Sequence, residues 1–492
     1  MSDRPVQLGA LDLGSNSFHL LIAQESSDRI QVLDKHKEMV RLAAGLDQHN
    51  HLSEDAQNRA LECLGRFAQR LRSLDPENIR VVGTNTLRRA DSPDFLQRAE
   101  AILGHRIEII SGREEARLIY LGVCHDLGTY DDRRLVVDIG GGSTEIVLGR
   151  RFKPEHLESL YIGCVSTTQR HFTDGRITQK FMKAAKNDAL VELEPVAAQF
   201  TDTGWDGAVG TSGTINAVHD VLAALQSGDG GITREGLELL TARLVDFGEI
   251  SNINLDGLAD ERKAVFPGGV AILSAIFQAL DIHSMSTSQT ALREGLIFDL
   301  MGRQHQEDAR DQTVQHLIER YNIDRVHARQ VRETTIGLLS QVARNWALTD
   351  PDCKHMISWA ASLHEIGMEI SHSGYHKHGA YLLENMDMPG FSRSDQAGLA
   401  TLVRNHRRKL VIESYDEHNP TLLRLTILLR LAAVLHRNRS HAALPHVEAS
   451  IQKDKLTLNF PSGWLDAHPL TVLDLENEAA FLAQAGIRLI TD

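Results

Sequence analysis

Val136-Val137-Asp138-Ile139-Gly140-Gly141-Gly142-Ser143-Thr144-Glu145-Ile146-Val147-Leu148 is the stretch from which the rest of the chain can be read. Two β-branched, apolar runs flank an aspartate and three glycines, the pattern of a strand, a tight turn and a second strand. Glycines carry no Cβ, so such a turn can direct several backbone N–H groups at one closely approaching anion. Asp138, ending the first run, is placed to hold a hydrated metal ion beside that anion, and Ser143 and Thr144 add hydroxyl donors. A second copy lies near the N-terminus, Leu11-Asp12-Leu13-Gly14-Ser15-Asn16-Ser17-Phe18-His19-Leu20-Leu21-Ile22. Aligned without gaps, Asp12 falls on Asp138, Gly14 on Gly140, Ser17 on Ser143 and His19 on Glu145. Ordinary hairpin turns do not require an aspartate at the same strand end. Two related half-domains facing one another across a phosphate site are therefore expected.

Around these loops, Ser53 is expected to cap a helix reaching Leu74, and Ile79–Gly83 to form a buried strand. Thr84-Asn-Thr-Leu-Arg-Arg then opens a helix, which brings Arg88 to the crevice of the glycine turns. Arg88 and Arg89 can each fork onto a phosphate, although arginines after a strand are also common on surfaces. Ile107-Glu-Ile-Ile reads as another strand, followed by Ser111-Gly-Arg-Glu114-Glu115. Ser111 and Glu114 have the spacing of a capping box. Glu115 has no such structural role, and is either a base for water beside bound phosphate or a surface carboxylate favoured by the helix dipole. Glu145 is likewise either a solvated strand residue or a second carboxylate for water or metal. Ala208-Val-Gly-Thr-Ser-Gly-Thr-Ile is a strand entering a turn that permits close backbone approach, and Leu292-Arg-Glu-Gly-Leu closes the second half.

The paired loops resemble the two phosphate motifs of the actin, sugar-kinase and Hsp70 superfamily. Asp12-Leu-Gly-Ser-Asn-Ser-Phe-His, Ser111-Gly-Arg-Glu-Glu-Ala-Arg and Asp138-Ile-Gly-Gly-Gly-Ser-Thr-Glu together resemble the exopolyphosphatase and guanosine pentaphosphate phosphatase family, over nearly the whole chain. The resemblance implies an α/β fold with a duplicated actin-like core, residues 1–119 (with 286–300 returning to it) and 120–285. An HD-like helical domain at 301–440 and a small α+β module at 441–492 would follow. It implies Glu115 as general base, Arg88 as active-site arginine, and Glu145 with Asp138 as carboxylates for Mg²⁺. Asp12, Gly14, Ser15, Asn16, Gly140, Gly141, Gly142, Ser143, Thr144 and Gly213 would hold phosphate. The implied activity is an exopolyphosphatase releasing orthophosphate from inorganic polyphosphate. The alternative is the sister branch, which hydrolyses pppGpp to ppGpp; a non-catalytic nucleotide-binding regulator is a third reading. Gly142, Gly83-Thr-Asn-Thr-Leu-Arg and His372-Ser-Gly-Tyr-His-Lys-His resemble the polyphosphatase branch, whereas Pro461-Ser-Gly-Trp-Leu-Asp-Ala-His-Pro resembles the sister branch.

A net charge of −14 argues against general nucleic-acid binding. The charge is unevenly spread: residues 301–440 hold 18 Lys+Arg against 16 Asp+Glu, the remainder 34 against 50. A long polyanion is expected to follow the less acidic region, with Arg404, His406, Arg407, Arg408 and Lys409 as its path, unless that cluster is a solvated helix face. Leu363-His364-Glu365-Ile366-Gly367, with His372, His376 and His378, resembles the HD phosphohydrolase helices, which bind metal through a His-Asp pair. Glutamate stands where aspartate is expected, so the reading is a degenerate HD-like domain. Scattered Cys63, Cys124, Cys164 and Cys353 suit a reducing cytoplasm. No apolar run reaches membrane-spanning length, and Met1-Ser-Asp-Arg-Pro carries no secretory core. A cytoplasmic protein is expected, at most peripheral at a membrane, and by resemblance a homodimer. At the C-terminal end Val447–Ser450 and Lys455–Phe460 read as strands, with Leu470–Leu473 and Ile487–Ile490 bracketing a short helix.

Overall fold

The structure, a computed structural model, describes residues 6–26, 29–127, 131–226, 231–304, 307–416, 419–440 and 443–492. It divides into two compact units, Met1–Asp308 and Ala309–Asp492.

In the first unit the expected N-terminal hairpin is β1 (Gln7–Leu13) and β2 (Phe18–Ser26), followed by β3 (Arg29–Glu38). With β4 (Ile79–Gly83) and β5 (Glu108–Ile109) they form a sheet of order β3-β2-β1-β4-β5. A second sheet repeats the plan with β6 (Arg133–Ile139), β7 (Thr144–Arg150), β8 (Lys153–Leu160), β9 (Gly207–Thr211), β10 (Ile232–Thr233) and β11 (Ser284–Thr287). Its order is β8-β7-β6-β9-β11-β10. The repeat extends to register. Asp12 lies opposite His19 across β1 and β2, and Asp138 lies opposite Glu145 across β6 and β7, as the gapless alignment requires. Each hairpin is backed by a parallel neighbour, β4 for β1 and β9 for β6. A strand buried on both faces reads as a continuous apolar run. Accordingly Leu135, Val137 and Ile139 enter one hydrophobic core while Val136 enters another, shared with Leu8 and Ala10 of β1. The duplicated α/β core is thus actin-like.

Helix α1 (Glu54–Leu71) starts at Ser53, whose Oγ accepts the Ala56 N–H at 3.4 Å, and buries Ala60, Leu64, Phe67 and Leu71. Helices α2 (Asn85–Arg89), α3 (Gly112–Leu127), α4 (Ser212–Gln226) and α5 (Leu292–Gln304) begin within a few residues of the ends of β4, β5, β9 and β11. Ligands of open α/β sheets bind outside such strand ends, where helix N-termini favour anions.

An ionic network is buried between these elements. Arg80 of β4, 1% exposed, donates to Asp299 Oδ2 of α5 at 2.6 Å and to Glu108 Oε2 of β5 at 3.1 Å. Arg117 of α3 forks onto Glu114 at 2.8 and 2.9 Å, and Arg303 reaches Asp299 at 3.1 Å. This corrects the capping-box expectation. Ser111 Oγ does accept the Glu114 N–H at 3.1 Å, but the Glu114 carboxylate serves Arg117 in the network.

In the second unit α6 (Arg325–Val342), α7 (Pro351–Leu363), α8 (Tyr375–Asn385), α9 (Arg393–Asn405) and α10 (Thr421–Leu435) share one core with residues of β12 (Glu448–Gln452) and β13 (Lys455–Asn459). Helix α11 (Pro469–Ala483) and β14 (Arg488–Thr491) complete the small module. Leu470–Leu473 belongs to α11 rather than to a strand. Four apolar residues do not distinguish the two, and Pro469 is suited to the first helical position. Among the described residues no helix is long and apolar enough to cross a membrane.

Candidate active site

The two glycine turns meet face to face. A Cβ on Gly141 would come within 3.3 Å of Ser15 Cβ, and one on Gly142 within 2.8 Å of Asn85 Oδ1. Their approach leaves a cavity of about 310 Å³ lined by Asp12, Gly14, Ser15, Asn16, Gly140, Gly141, Gly142, Ser143 and Gly213. Glu115 and Asp138 share the lining. Gly213 has a further reason to be glycine, because a Cβ there would collide with the Arg262 guanidinium.

Glu115 sits in the first turn of α3, where its Oε2 accepts from Arg88 Nη1 at 2.7 Å. The same Nη1 donates to the Ile110 carbonyl at 3.1 Å, so the pair is fixed to the backbone. Burial works against the Arg88 charge, but Glu115 and Glu145 outweigh it and hold the guanidinium above its usual range. Arg88 and Glu115, separated in sequence by a whole strand and helix, are thus brought together. Glu145 is buried with Oε1 accepting from Ser159 Oγ at 2.8 Å. Thr144 departs from expectation. It is wholly buried and its hydroxyl donates to the Ile162 carbonyl at 2.7 Å, so the hydroxyl is already engaged.

Carboxylates dominate the electrostatics. Burial, then Glu115, push Asp12 up to about 8 and Asp138 up to about 7. Burial, then Glu115 and Asp138, raise Glu145 well above the carboxylate range. Asp12 Oδ1 is buried with no hydrogen-bond partner among the described residues. Such a set invites a positive charge.

The basic residues of the cavity, His19, Lys37, Arg262 and Arg293, escaped the sequence reading of the site. Arg293 Nη1 donates to His19 Nδ1 at 2.7 Å, so His19 carries its proton on Nε2 and donates to Ser17 Oγ, also 2.7 Å away. Burial, then Arg293, lower His19 to about 3, which keeps the ring neutral and leaves the Ser17 hydroxyl proton available to the cavity. Lys37 is lowered by burial and then by Arg262. His19 had a signal, its place opposite Glu145 in the repeat; Arg293 lies inside the quoted Leu292-Arg-Glu-Gly-Leu. Lys37 and Arg262 come from β3 and the one-turn helix Asp260–Lys263, and only the fold brings them in.

In the second unit the basic cluster is not one face. Arg404, Arg408 and Lys409 are exposed, whereas His406 is 2% exposed with Nδ1 on the Val403 carbonyl at 2.6 Å. His406 is therefore no surface contact for a chain running over the helices.

The sequence pattern of the Ppx/GppA phosphatase family matches residues 21–304, and that of Ppx/GppA phosphatase domain III matches residues 309–479. A guanosine-5'-triphosphate,3'-diphosphate pyrophosphatase of Photobacterium profundum is 39% identical over 486 residues, 98% of this chain and 97% of that protein. Its counterpart in Vibrio cholerae serotype O1 (strain ATCC 39541 / Classical Ogawa 395 / O395) is 42% identical over 473 residues, 96% of this chain and 95% of that protein. The fold is similar to that of the Aquifex aeolicus PPX-GPPA enzyme, with a TM-score of 0.51 and 24% identity over 60% of this chain and 99% of that one. With the duplicated hairpins, the facing glycine turns and the Glu115–Arg88 pair, these matches place the chain in the Ppx/GppA phosphatase family, hydrolases acting on phosphoric anhydrides.

Proposed function

We propose that the chain hydrolyses the terminal anhydride of guanosine 5'-triphosphate 3'-diphosphate (pppGpp), giving ppGpp and orthophosphate. The observation that carries this is near-full-length similarity, at 39–42% identity, to relatives named for that substrate. It reverses the order in which the sequence ranked the two activities. The local resemblances at Gly142, Gly83–Arg88 and His372–His378 favoured polyphosphate, but they cover few residues against the whole chain.

The cavity's chemistry supports the reading. The terminal phosphate would rest between the two glycine turns, its oxygens taking N–H donors and the hydroxyls of Ser15, Ser17 and Ser143. Water would attack the terminal phosphorus as the bridging P–O bond breaks, Glu115 taking the water's proton and the leaving diphosphate keeping the bridging oxygen. Arg88 would position Glu115 and balance charge developing on the phosphoryl oxygens. Lys37, Arg262 and Arg293 crowd the same cavity, and Lys37 is lowered by its cationic neighbours as well as by burial. An anion with phosphates at both the 5' and 3' positions would relieve that repulsion.

The donor set fits Mg²⁺. Asp12 has an orphaned buried oxygen, and Asp12, Asp138 and Glu145 are all raised by burial and by neighbouring carboxylates. Among the described residues these carboxylates are not gathered into a set of three ligands within 4.8 Å of one another. That suits an ion which keeps several waters and binds one or two carboxylates plus substrate phosphates. Asp138 and Asp12 would hold it, Glu145 through water, and it would neutralise charge on the transferred phosphate. Glu145 in this arrangement is a positioning carboxylate, already accepting from Ser159.

Phosphate release from pppGpp with the expected ppGpp product, followed by chromatography, tests the reading. Intact pppGpp after incubation with Mg²⁺ would overturn it.

A further inference from the structure

The second unit contains a cavity of about 560 Å³ whose lining includes His327, His364, His372 and His406. His327, His364 and Glu365 offer ligand atoms within 4.8 Å of one another, a spacing that suggests a metal. The charges argue otherwise. Glu365 is the one carboxylate of the three, and Arg439 Nη2 already donates to its Oε1. A cation on that oxygen would have to displace a guanidinium. His364 Nδ1 donates to the Ala361 carbonyl at 2.7 Å, and burial lowers the ring to about 4, so it contributes no charge of its own.

The remaining charges leave an excess of cations. Three carboxylates line the cavity and each has its own arginine: Glu365 has Arg439, Asp474 has Arg437, and Glu478 has Arg430. Arg407 and Arg408 also line it, and among the described residues neither has a carboxylate partner. Arg407 lies over the Tyr375 ring, 4.6 Å from its centroid.

The turn that presents this pair is held from beneath. Arg430, fully buried, donates Nη1 to the Asn405 carbonyl at 2.5 Å and Nη2 to the Arg408 carbonyl at 2.7 Å while forking onto Glu478. Arg408 takes a left-handed backbone, φ 63°, uncommon for a side-chain-bearing residue. An ion pair is costly to bury, and this one ties α10, α11 and the turn after α9 into a single arrangement. Val434, Met368 and Phe481 add apolar wall, and the volume exceeds what a lone phosphate fills.

We propose that this cavity binds a nucleoside phosphate, its phosphates on Arg407 and Arg408 and its nucleoside against Val434 and Phe481, and that it is not a metal centre. The site is separate from the cleft of the first unit and does not depend on how that cleft is read. It recasts part of the basic cluster as an anion pocket rather than a path for a long chain.

Hydrogen exchange on the full chain, at constant ionic strength, tests this with GDP, inorganic pyrophosphate and Zn²⁺ as probes. GDP should slow exchange in segments 404–411 and 433–440, and pyrophosphate should do so more weakly. In the R407A/R408A variant the GDP concentration needed should rise roughly tenfold or more per arginine removed. R407Q alone should show an intermediate shift, which keeps the test open if the double variant is unstable. Protection unchanged in these variants, absent with GDP, or produced by Zn²⁺ instead would overturn the proposal. Pyrophosphate as effective as GDP would overturn the nucleoside part.

Discussion

Glu114 and Glu115 are neighbours in one helical turn, and the structure gives them opposite consequences on substitution. Glu114→Gln removes one of three negative charges, Glu108, Glu114 and Asp299, from a network that also holds Arg80, Arg117 and Arg303. Arg117 loses its forked partner while remaining tied to Asp299, and a buried excess positive charge is left behind. Breaking a buried pair from one side costs about 3–5 kcal/mol, well above the roughly 1 kcal/mol of a lost helix cap. For a unit of this size that is a fall of roughly 5–8 °C in the melting transition. Glu115→Gln keeps shape and leaves that network untouched. It weakens the Arg88 pair but also removes the repulsion that Glu115 exerts on Asp12, Asp138 and Glu145. It should therefore melt nearer the parent than Glu114→Gln and lose about 10²–10⁴-fold in kcat, with substrate binding retained. Calorimetry and single-turnover phosphate release on the two variants separate the roles. The reasoning fails if Glu114→Gln melts with the parent, or if both variants lose activity equally while folded.

Asp138→Asn should raise the Mg²⁺ concentration for half-maximal activity by tenfold or more, because a neutral amide holds a hard cation poorly; an unchanged Mg²⁺ titration would move the metal elsewhere. Arg262→Ala should raise KM for pppGpp about tenfold with little change in kcat, since on the proposed reading it would meet the non-reacting phosphates; a loss confined to kcat would contradict that. For the metal-free protein, the folded-state values of about 8 for Asp12 and about 7 for Asp138 lie above the ordinary 3.8. Stability from these groups is complete below that ordinary value and is lost as pH rises through 7 and 8. Melting temperature without Mg²⁺ should therefore fall over this window, and added Mg²⁺ should flatten the slope; a Mg²⁺-independent profile would remove the cation from this site.

The core was legible because its signals are local and repeated. Asp12 and Asp138 end equivalent strands, and the same offset carries His19 onto Glu145, a relation that the strand registers reproduce. Tertiary effects account for what was missed. Glu114 fits a capping box by spacing, yet two basic residues, Arg80 of β4 and Arg117 of α3, decide where its carboxylate sits. Thr144 follows a phosphate loop but begins a buried strand, where its hydroxyl meets a carbonyl from the neighbouring loop. Lys37 and Arg262 have no motif around them, and His327 joins His364 and Glu365 only because α6 packs beside them. Substrate choice was the least legible, since the glycine turns, Arg88 and Glu115 can serve any terminal anhydride phosphate.

The most direct test of the account is competition between pppGpp and long-chain polyphosphate in one phosphate-release assay with Mg²⁺. A pppGpp phosphohydrolase should show the higher kcat/KM for pppGpp, with polyphosphate inhibiting competitively at the same cleft and both activities vanishing together in Glu115→Gln. A higher kcat/KM for polyphosphate, with pppGpp left intact beside it, would contradict the proposed function.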